Sequence, residues 1–154
     1  MGDFFGSIYS SFFGKLYGLD LSDYVWGQLS PAQDENLYGT FGFVMLITTL
    51  LSGIVYYFVI DRHSLCHWWC WFISLLIPGV INFFTGFILL SHQANQGKMI
   101  DEKGNDLGFA FINFFNFGIA NFLMVIIVFI LFTLFVKILL KITPLQSDCS
   151  TSPF

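Results

Sequence analysis

Twenty consecutive residues of this chain, 41–60, contain no charged side chain. A helix rises about 1.5 Å per residue, so twenty residues cross the roughly 30 Å hydrocarbon core of a bilayer. Two further apolar stretches follow, over about 65–90 and about 112–140. The pattern predicts an all-α integral membrane protein with three transmembrane helices, at about 40–60, 65–90 and 112–140.

The composition favours burial in lipid. Charged residues make up 10% of the 154 residues, whereas a soluble domain is typically about one-quarter charged. So few charges do not cover a water-facing surface, and the length fits a single membrane domain, 1–154. The net charge is −4, and the sequence has no basic patch that would bind nucleic acid. We therefore expect the lipid bilayer to be a partner and nucleic acid not to be one.

Proline and polar residues mark the boundaries of the first two spans. Residues 30–33 read Ser-Pro-Ala-Gln, a capping box with proline at the first helical position. The first helix is therefore predicted to begin near Pro31 and to enter the membrane near Gly39. The polar turn 61–64 is so short that the second span must be antiparallel to the first. Pro78 is expected to kink that span, because proline removes a backbone hydrogen bond.

The C-terminal third contains one polar connection and one very long apolar run. Residues 91–108 are predicted to form a polar loop with a turn or short hairpin. The run 109–140 is too long for one straight crossing. Either it tilts and protrudes, or its first turns are a separate interfacial piece. Residues 143–154 are predicted to be a flexible tail after the third span.

The N-terminal region, 1–30, carries a repeat of four residues. Large apolar pairs alternate with small or polar pairs over 2–18, a period that fits an amphipathic Gly/Ser/Phe-rich helix. Small residues recur at every fourth position, at Gly6, Ser10, Gly14 and Gly18. Such a row allows close approach of another helix, within one subunit or between subunits. The alternative is an interfacial anchor that its phenylalanines hold in lipid.

Four asparagines lie in predicted spans. They are Asn82 in the second span, and Asn113, Asn116 and Asn121 in the third. An amide without a partner is costly in lipid, so these side chains are expected to turn inward. Either they bond to one another and hold the bundle together, or they line a hydrated pore. Mid-span acids and bases are absent from the sequence, which disfavours coupled transport.

A histidine and cysteine cluster precedes the second span. His63, Cys66, His67 and Cys70 share one helical face, and all four are metal-ligand types. Positions spread over two turns of one helix cannot all reach a single ion, however. The spacing also differs from zinc and redox motifs. We therefore predict no metal site, no cofactor and no enzymatic activity.

The basic residues give a prediction of orientation. Arg62, Lys137 and Lys141 fall on one side of a three-span arrangement. Lys98 and Lys103 fall on the other, together with Lys15 if the N-terminal region is counted. Cytoplasmic loops carry an excess of bases, so the C-terminus is predicted to be cytoplasmic. In a bacterial cell this multi-pass protein would belong to the inner membrane.

Two functional hypotheses follow, because three spans of one chain cannot enclose an aqueous channel. The first is a homo-oligomeric pore or membrane-permeabilising assembly. It would pack through the small residues of the N-terminal helix, with the asparagine-bearing helices toward the centre. The second is a structural or anchoring subunit of a larger membrane protein complex, which would dock through residues 1–30 and 91–108.

Overall fold

A computed structural model of the protein describes residues 2–29, 36–57, 68–100 and 103–142, with the backbone alone at 68, 137 and 139–142. The described residues contain α1 (Gly2–Tyr17), α2 (Leu19–Trp26), α3 (Leu37–Val55), α4 (Trp68–Asn95) and α5 (Phe111–Ile142). Among these described helices, three are long and apolar enough to cross a membrane, over Leu37–Val55, Trp69–Asn95 and Phe111–Val136. This confirms the predicted all-α fold with three apolar spans.

Helices α3 and α5 run in the same direction. Near their first turns, the rings of Phe41 and Phe117 lie 5.0 Å apart. Further along both helices, a Cβ atom added at Gly53 would overlap the Phe132 ring. The contacts therefore advance together along the two helices, and both helices begin at the same end of the bundle.

Helix α4 runs in the opposite direction. Thr48 of α3 is paired with Asn82 of α4, whereas Ser52, one turn later in α3, is paired with the earlier residue Ser74. The chain thus crosses the bundle three times in alternating directions. The last turn of α4 lies at the end where α3 and α5 begin.

Helices α1 and α2 form an N-terminal lobe, residues 2–26, on this same end. The Tyr9 hydroxyl of α1 donates to the Met45 sulfur of α3 at 3.8 Å. The Tyr24 hydroxyl of α2 donates to Gln93 Oε1 near the end of α4 at 3.0 Å. These two hydrogen bonds attach α1 to α3 and α2 to α4.

Two helix boundaries differ from the predictions. Helix α3 begins at Leu37, because Asn36 has extended backbone angles and its side chain accepts from the Tyr38 amide at 3.0 Å. The predicted start near Pro31 is therefore wrong, although residues 30–35 themselves lie outside the described ones. Helix α4 continues through Asn95, into the predicted polar loop.

The structure of α5 and of the loop before it decides between the alternatives left open for residues 109–140 and 91–108. The long apolar run is one continuous helix from Phe111 to Ile142, without a separate interfacial piece. The polar loop contains an antiparallel bridge between Ile100 and Asp106, as expected for a short hairpin. The predicted turn at 61–64 and the predicted tail at 143–154 lie outside the described residues.

Candidate functional site

The small residues of α1 have different surroundings. Gly6 is buried, and a Cβ atom there would lie 2.6 Å from the Trp26 ring of α2. Gly14 is also buried, but a Cβ atom there would meet only Ser10 of its own helix, at 3.8 Å. Gly18 departs from the expected packing row, because it is exposed and no atom lies within 4 Å of its Cβ position. Its φ of 95° instead breaks the helix between α1 and α2.

The large apolar pairs of α1 split between two faces. The second members of the pairs turn toward the bundle: Phe5, Tyr9, Phe13 and Tyr17. Three of the first members are exposed, Phe4, Phe12 and Leu16, whereas Ile8 is half-buried and packs against the core. The exposed fraction is 66% for Phe4 and 74% for Phe12, against 8% for Phe5 and 0% for Tyr9. The four-residue repeat therefore encodes both a packing face and an outer face.

Buried tyrosines join the lobe to the spans. The hydroxyls of Tyr17 and Tyr38 are 2.8 Å apart, and the Ser22 hydroxyl lies 3.0 Å from that of Tyr38. The Phe117 ring of α5 packs against the rings of both tyrosines and of Tyr9. Burial raises the pKa of Tyr9 and of Tyr17 well above the usual tyrosine value. Neutral hydrogen bonds in this cluster join α1, α2 and α3, and the packing of the Phe117 ring joins α5 to them.

Asn82 belongs to a polar seam between α3 and α4, which we define as Thr48, Ser52, Ser74, Pro78 and Asn82. The Asn82 amide donates to the Thr48 hydroxyl at 2.7 Å and to the Pro78 carbonyl at 2.8 Å. The Thr48 hydroxyl donates in turn to its own helix at Val44. Asn82 is 3% exposed, so its donors are used inside the chain.

Proline creates the other half of the polar seam. Pro78 has no N–H, so the carbonyl four residues earlier, at Ser74, loses its helical donor. The Ser52 hydroxyl of α3 donates to that carbonyl instead. In lipid, side-chain hydroxyls commonly satisfy backbone groups that a proline has freed. The polar seam therefore compensates for a proline within a candidate span.

Two asparagines of α5 lie at the lobe. The Asn116 amide donates to the Leu16 carbonyl in the last turn of α1, at 3.1 Å. It thereby satisfies one of the carbonyls that a helix leaves unpaired at its C-terminus. Asn113 is half-buried, one turn nearer the start of α5. Asn116 thus attaches α1 to α5.

Asn121 has a different environment from the other asparagines. It is 2% exposed and faces Gly86 of α4, where a Cβ atom would overlap its amide. Neither its nitrogen nor its oxygen has a hydrogen-bond partner within the described parts of the chain. The same holds for the buried hydroxyls of Thr49 and Thr133. Asn82, Asn116 and Asn121 therefore lie at three different helix contacts of this chain, α3–α4, α1–α5 and α4–α5.

An apolar groove of about 390 Å³ lies beside the polar seam. Cys70 is half-buried and lines this groove. His63, Cys66 and His67 lie outside the described residues. Across the ranges that the structure does describe, no three His, Cys, Asp or Glu side chains come close enough to hold a metal ion.

The partners of the asparagines were not predicted from the sequence. Thr48 and Ser52 lie within the uncharged run 41–60, and their hydrogen bonds to α4 were not predicted. The signal in the sequence was Pro78, because a proline in a span implies a free carbonyl in need of a donor. The hydrogen-bonded pair of Tyr17 and Tyr38 had no signal in the sequence.

No protein-family model matches the chain, and no significant match is found to a curated protein or to a solved structure.

Proposed function

We propose that this protein is a structural or anchoring subunit of a larger membrane protein complex. The observation that carries the proposal is the set of hydrogen-bond partners that the polar side chains of the candidate spans have. Asn82 and Ser52 bond across the α3–α4 contact, and Asn116 bonds to α1. These hydrogen bonds are all formed within one chain.

The outer surface of the spans supports the same proposal. It exposes large aliphatic and aromatic side chains, among them Leu50, Leu51, Ile73, Phe84 and Leu131. A pore between copies needs a lining that water wets, whereas an apolar surface suits lipid or the helices of another membrane protein. Such a bundle is well suited to being held beside larger subunits.

The water-facing parts of the chain provide the docking surface in this proposal. Helix α2 exposes Asp20 and Asp23, and the hairpin loop exposes Lys98, Lys103 and Asp106. Both elements lie at the end of the bundle where the lobe packs. A partner would therefore approach from one side of the membrane, against a small surface of mixed charge.

The test is affinity purification of the tagged full chain from its native membrane in mild detergent. The proposal predicts that a second membrane protein is recovered in a fixed ratio to this chain. A charge-reversed variant, Asp20→Lys with Asp23→Lys, should lower that ratio, whereas Ser11→Lys on α1 serves as the control. Recovery of this chain alone, in a uniform large particle, would contradict the proposal.

A homo-oligomeric pore is the second candidate, and Asn121 is the observation that favours it. Its amide has no partner among the described residues, although it lies within a candidate span. A helix rearrangement on oligomerisation would give that amide a lumen to line. This candidate predicts ion flux through vesicles containing the purified chain alone. Flux should fall in Asn121→Leu and persist in Thr85→Val, since Thr85 bonds only to its own helix.

The predicted cytoplasmic C-terminus completes the proposal. It places the lobe and the hairpin loop, together with Lys98 and Lys103, on the opposite side of the membrane. The test uses Lys103→Cys in a chain whose native cysteines have been replaced. If the orientation is correct, a membrane-impermeant thiol reagent labels this cysteine from outside intact cells. Labelling only after the cells are opened would reverse it.

A further inference from the structure

The exposed half of α1 carries two chemically different rows. One row is polar and fully on the surface: Asp3, Ser7, Ser11 and Lys15. The neighbouring row is apolar: Phe4, Phe12 and Leu16 are exposed, and Ile8 between them is half-buried. Because both rows follow the i, i+4 spacing, they run side by side along the whole helix. We call them the polar row and the apolar row.

The position of α1 on the bundle sets its depth. Phe5 packs against Gly42 of α3, and the Tyr9 hydroxyl reaches Met45. Helix α3 begins at Leu37, so at 1.5 Å per residue these contacts fall within about 12 Å of its start. The interfacial layers of a bilayer lie just outside its roughly 30 Å apolar core. Helix α1 therefore lies where a span passes from the headgroups into hydrocarbon.

The apolar row continues onto the exposed surface of the spans. Next to Gly42, α3 exposes Phe43 with 61% of its surface. Within about one turn of Asn116, which holds the end of α1, α5 exposes Ile112 and Phe115. The apolar row and these span residues together form an apolar surface at one depth. The polar row borders that surface on α1.

We infer that α1 lies in the membrane–water interface, with its apolar row among the lipid acyl chains and its polar row among the headgroups and water. Lipid of that leaflet is the occupant, because the apolar surface continues into the candidate spans. Ordinary interfacial helices are held by several basic residues. Here the polar row has only Lys15, and the packing of Phe5, Tyr9 and Tyr17 on the bundle replaces that attraction.

This inference is independent of the proposed function, because it concerns lipid and not a partner protein. It also explains the glycine and serine content of α1. An isolated helix with this composition would be unstable, but a helix packed on one side and wetted by lipid on another keeps its conformation. The attachment of α1 is accordingly expected not to require anionic lipid.

Site-directed spin labelling of the full chain tests the inference. The three native cysteines are replaced by serine, and a nitroxide is placed at Phe12→Cys or at its neighbour Ser11→Cys. The protein is reconstituted into phosphatidylcholine vesicles with and without phosphatidylglycerol. Collision rates with oxygen, which concentrates in lipid, and with a water-soluble nickel chelate are then compared. Phe4→Cys and Ser7→Cys form a second pair, so one misfolded variant does not decide the result.

The expected result is a several-fold higher oxygen-to-nickel ratio at Phe12 than at Ser11, and at Phe4 than at Ser7, in both lipid compositions. High nickel accessibility at both members of each pair would show that α1 stands above the bilayer. Low accessibility to both reagents at Phe4 and Phe12 would show that protein, such as a second copy, covers the apolar row. Either of these outcomes would overturn the inference.

Discussion

The Ser52 side chain of α3 donates a hydrogen bond to the backbone carbonyl of Ser74 on α4. That carbonyl is the acceptor that Pro78 leaves without its helical N–H. Two turns later in α4 and one turn earlier in α3, Asn82 bonds to Thr48. Helices α3 and α4 are therefore joined by two polar contacts on the same side of their interface, at the place where a proline weakens α4.

The first prediction concerns the dependence of Ser52 on Pro78. Ser52→Ala should lower the free energy of unfolding by about 1 kcal/mol, because it leaves the Ser74 carbonyl unpaired. In a Pro78→Ala background the backbone N–H at position 78 supplies the donor, so Ser52→Ala should there be nearly neutral. A double-mutant cycle measured by denaturant unfolding in micelles gives the coupling. Equal losses in both backgrounds would show that Ser52 does not act through that carbonyl.

The second prediction concerns Asn82. Asn82→Leu keeps a similar volume but removes the donors to Thr48 and to the Pro78 carbonyl, so we expect a loss of about 1 kcal/mol in unfolding free energy. Thr85→Val is the matched control on the same helix, since that hydroxyl bonds only to Ile81 of α4 itself. The same unfolding assay compares the two. A larger loss of unfolding free energy in Thr85→Val would contradict the prediction, because it would show that the Asn82 hydrogen bonds do not hold α3 and α4 together.

The third prediction separates two buried glycines of α1. Gly6→Ala should destabilise the protein by about 1–3 kcal/mol, because the new methyl group meets the Trp26 ring. Gly14→Ala should instead stabilise it by up to about 1 kcal/mol, since space is available and alanine is the better helix former. Thermal unfolding of both variants tests the difference. Similar destabilisation by both would indicate that the whole row of small residues is tightly packed.

The fourth prediction concerns alkaline pH. Burial raises the pKa of Tyr9 and of Tyr17, whereas tyrosines of the unfolded chain ionise near pH 10. Their contribution to stability is therefore complete below pH 10 and is lost as the pH rises further, because only the unfolded chain then releases these protons. Unfolding free energies between pH 8 and 11 measure this loss.

Phenylalanine and alanine variants are the control for the alkaline loss. In Tyr9→Phe, the fall of the unfolding free energy with pH should be less steep. The slope should decrease by at most about 1.4 kcal/mol per pH unit, the value for one ionising group. Ser11→Ala, which removes no ionising group, should leave the slope as it is in the parent chain. An unchanged slope in Tyr9→Phe would assign the alkaline loss to other groups.

Helix α1 and the three spans were predictable, because each has a local cause, whereas α2 was not predicted as a separate helix. The spans follow from uncharged runs long enough to cross a bilayer, and α1 follows from its four-residue period. The start of α3 was misplaced because a capping box at 30–33 and the Asn36 side chain compete for the same helix end. The break at Gly18 was missed because a glycine fits both a packing row and a left-handed turn.

The contacts between helices were predictable only as a tendency. The sequence indicates that Asn82 and Asn116 turn away from lipid. It does not show that one meets Thr48 and the other meets the end of α1, because these partners depend on the register of helices that lie far apart in the chain. The same register decides that Asn121 faces Gly86 and has no partner among the described residues.

The most direct test of the central claim is the number of copies of this chain in its native particle. Native mass spectrometry of the complex, released from membranes into mild detergent, counts them. The account predicts one or two copies of this chain together with a different membrane protein. A closed ring of many identical chains, conducting ions in vesicles, would contradict it and would establish the pore.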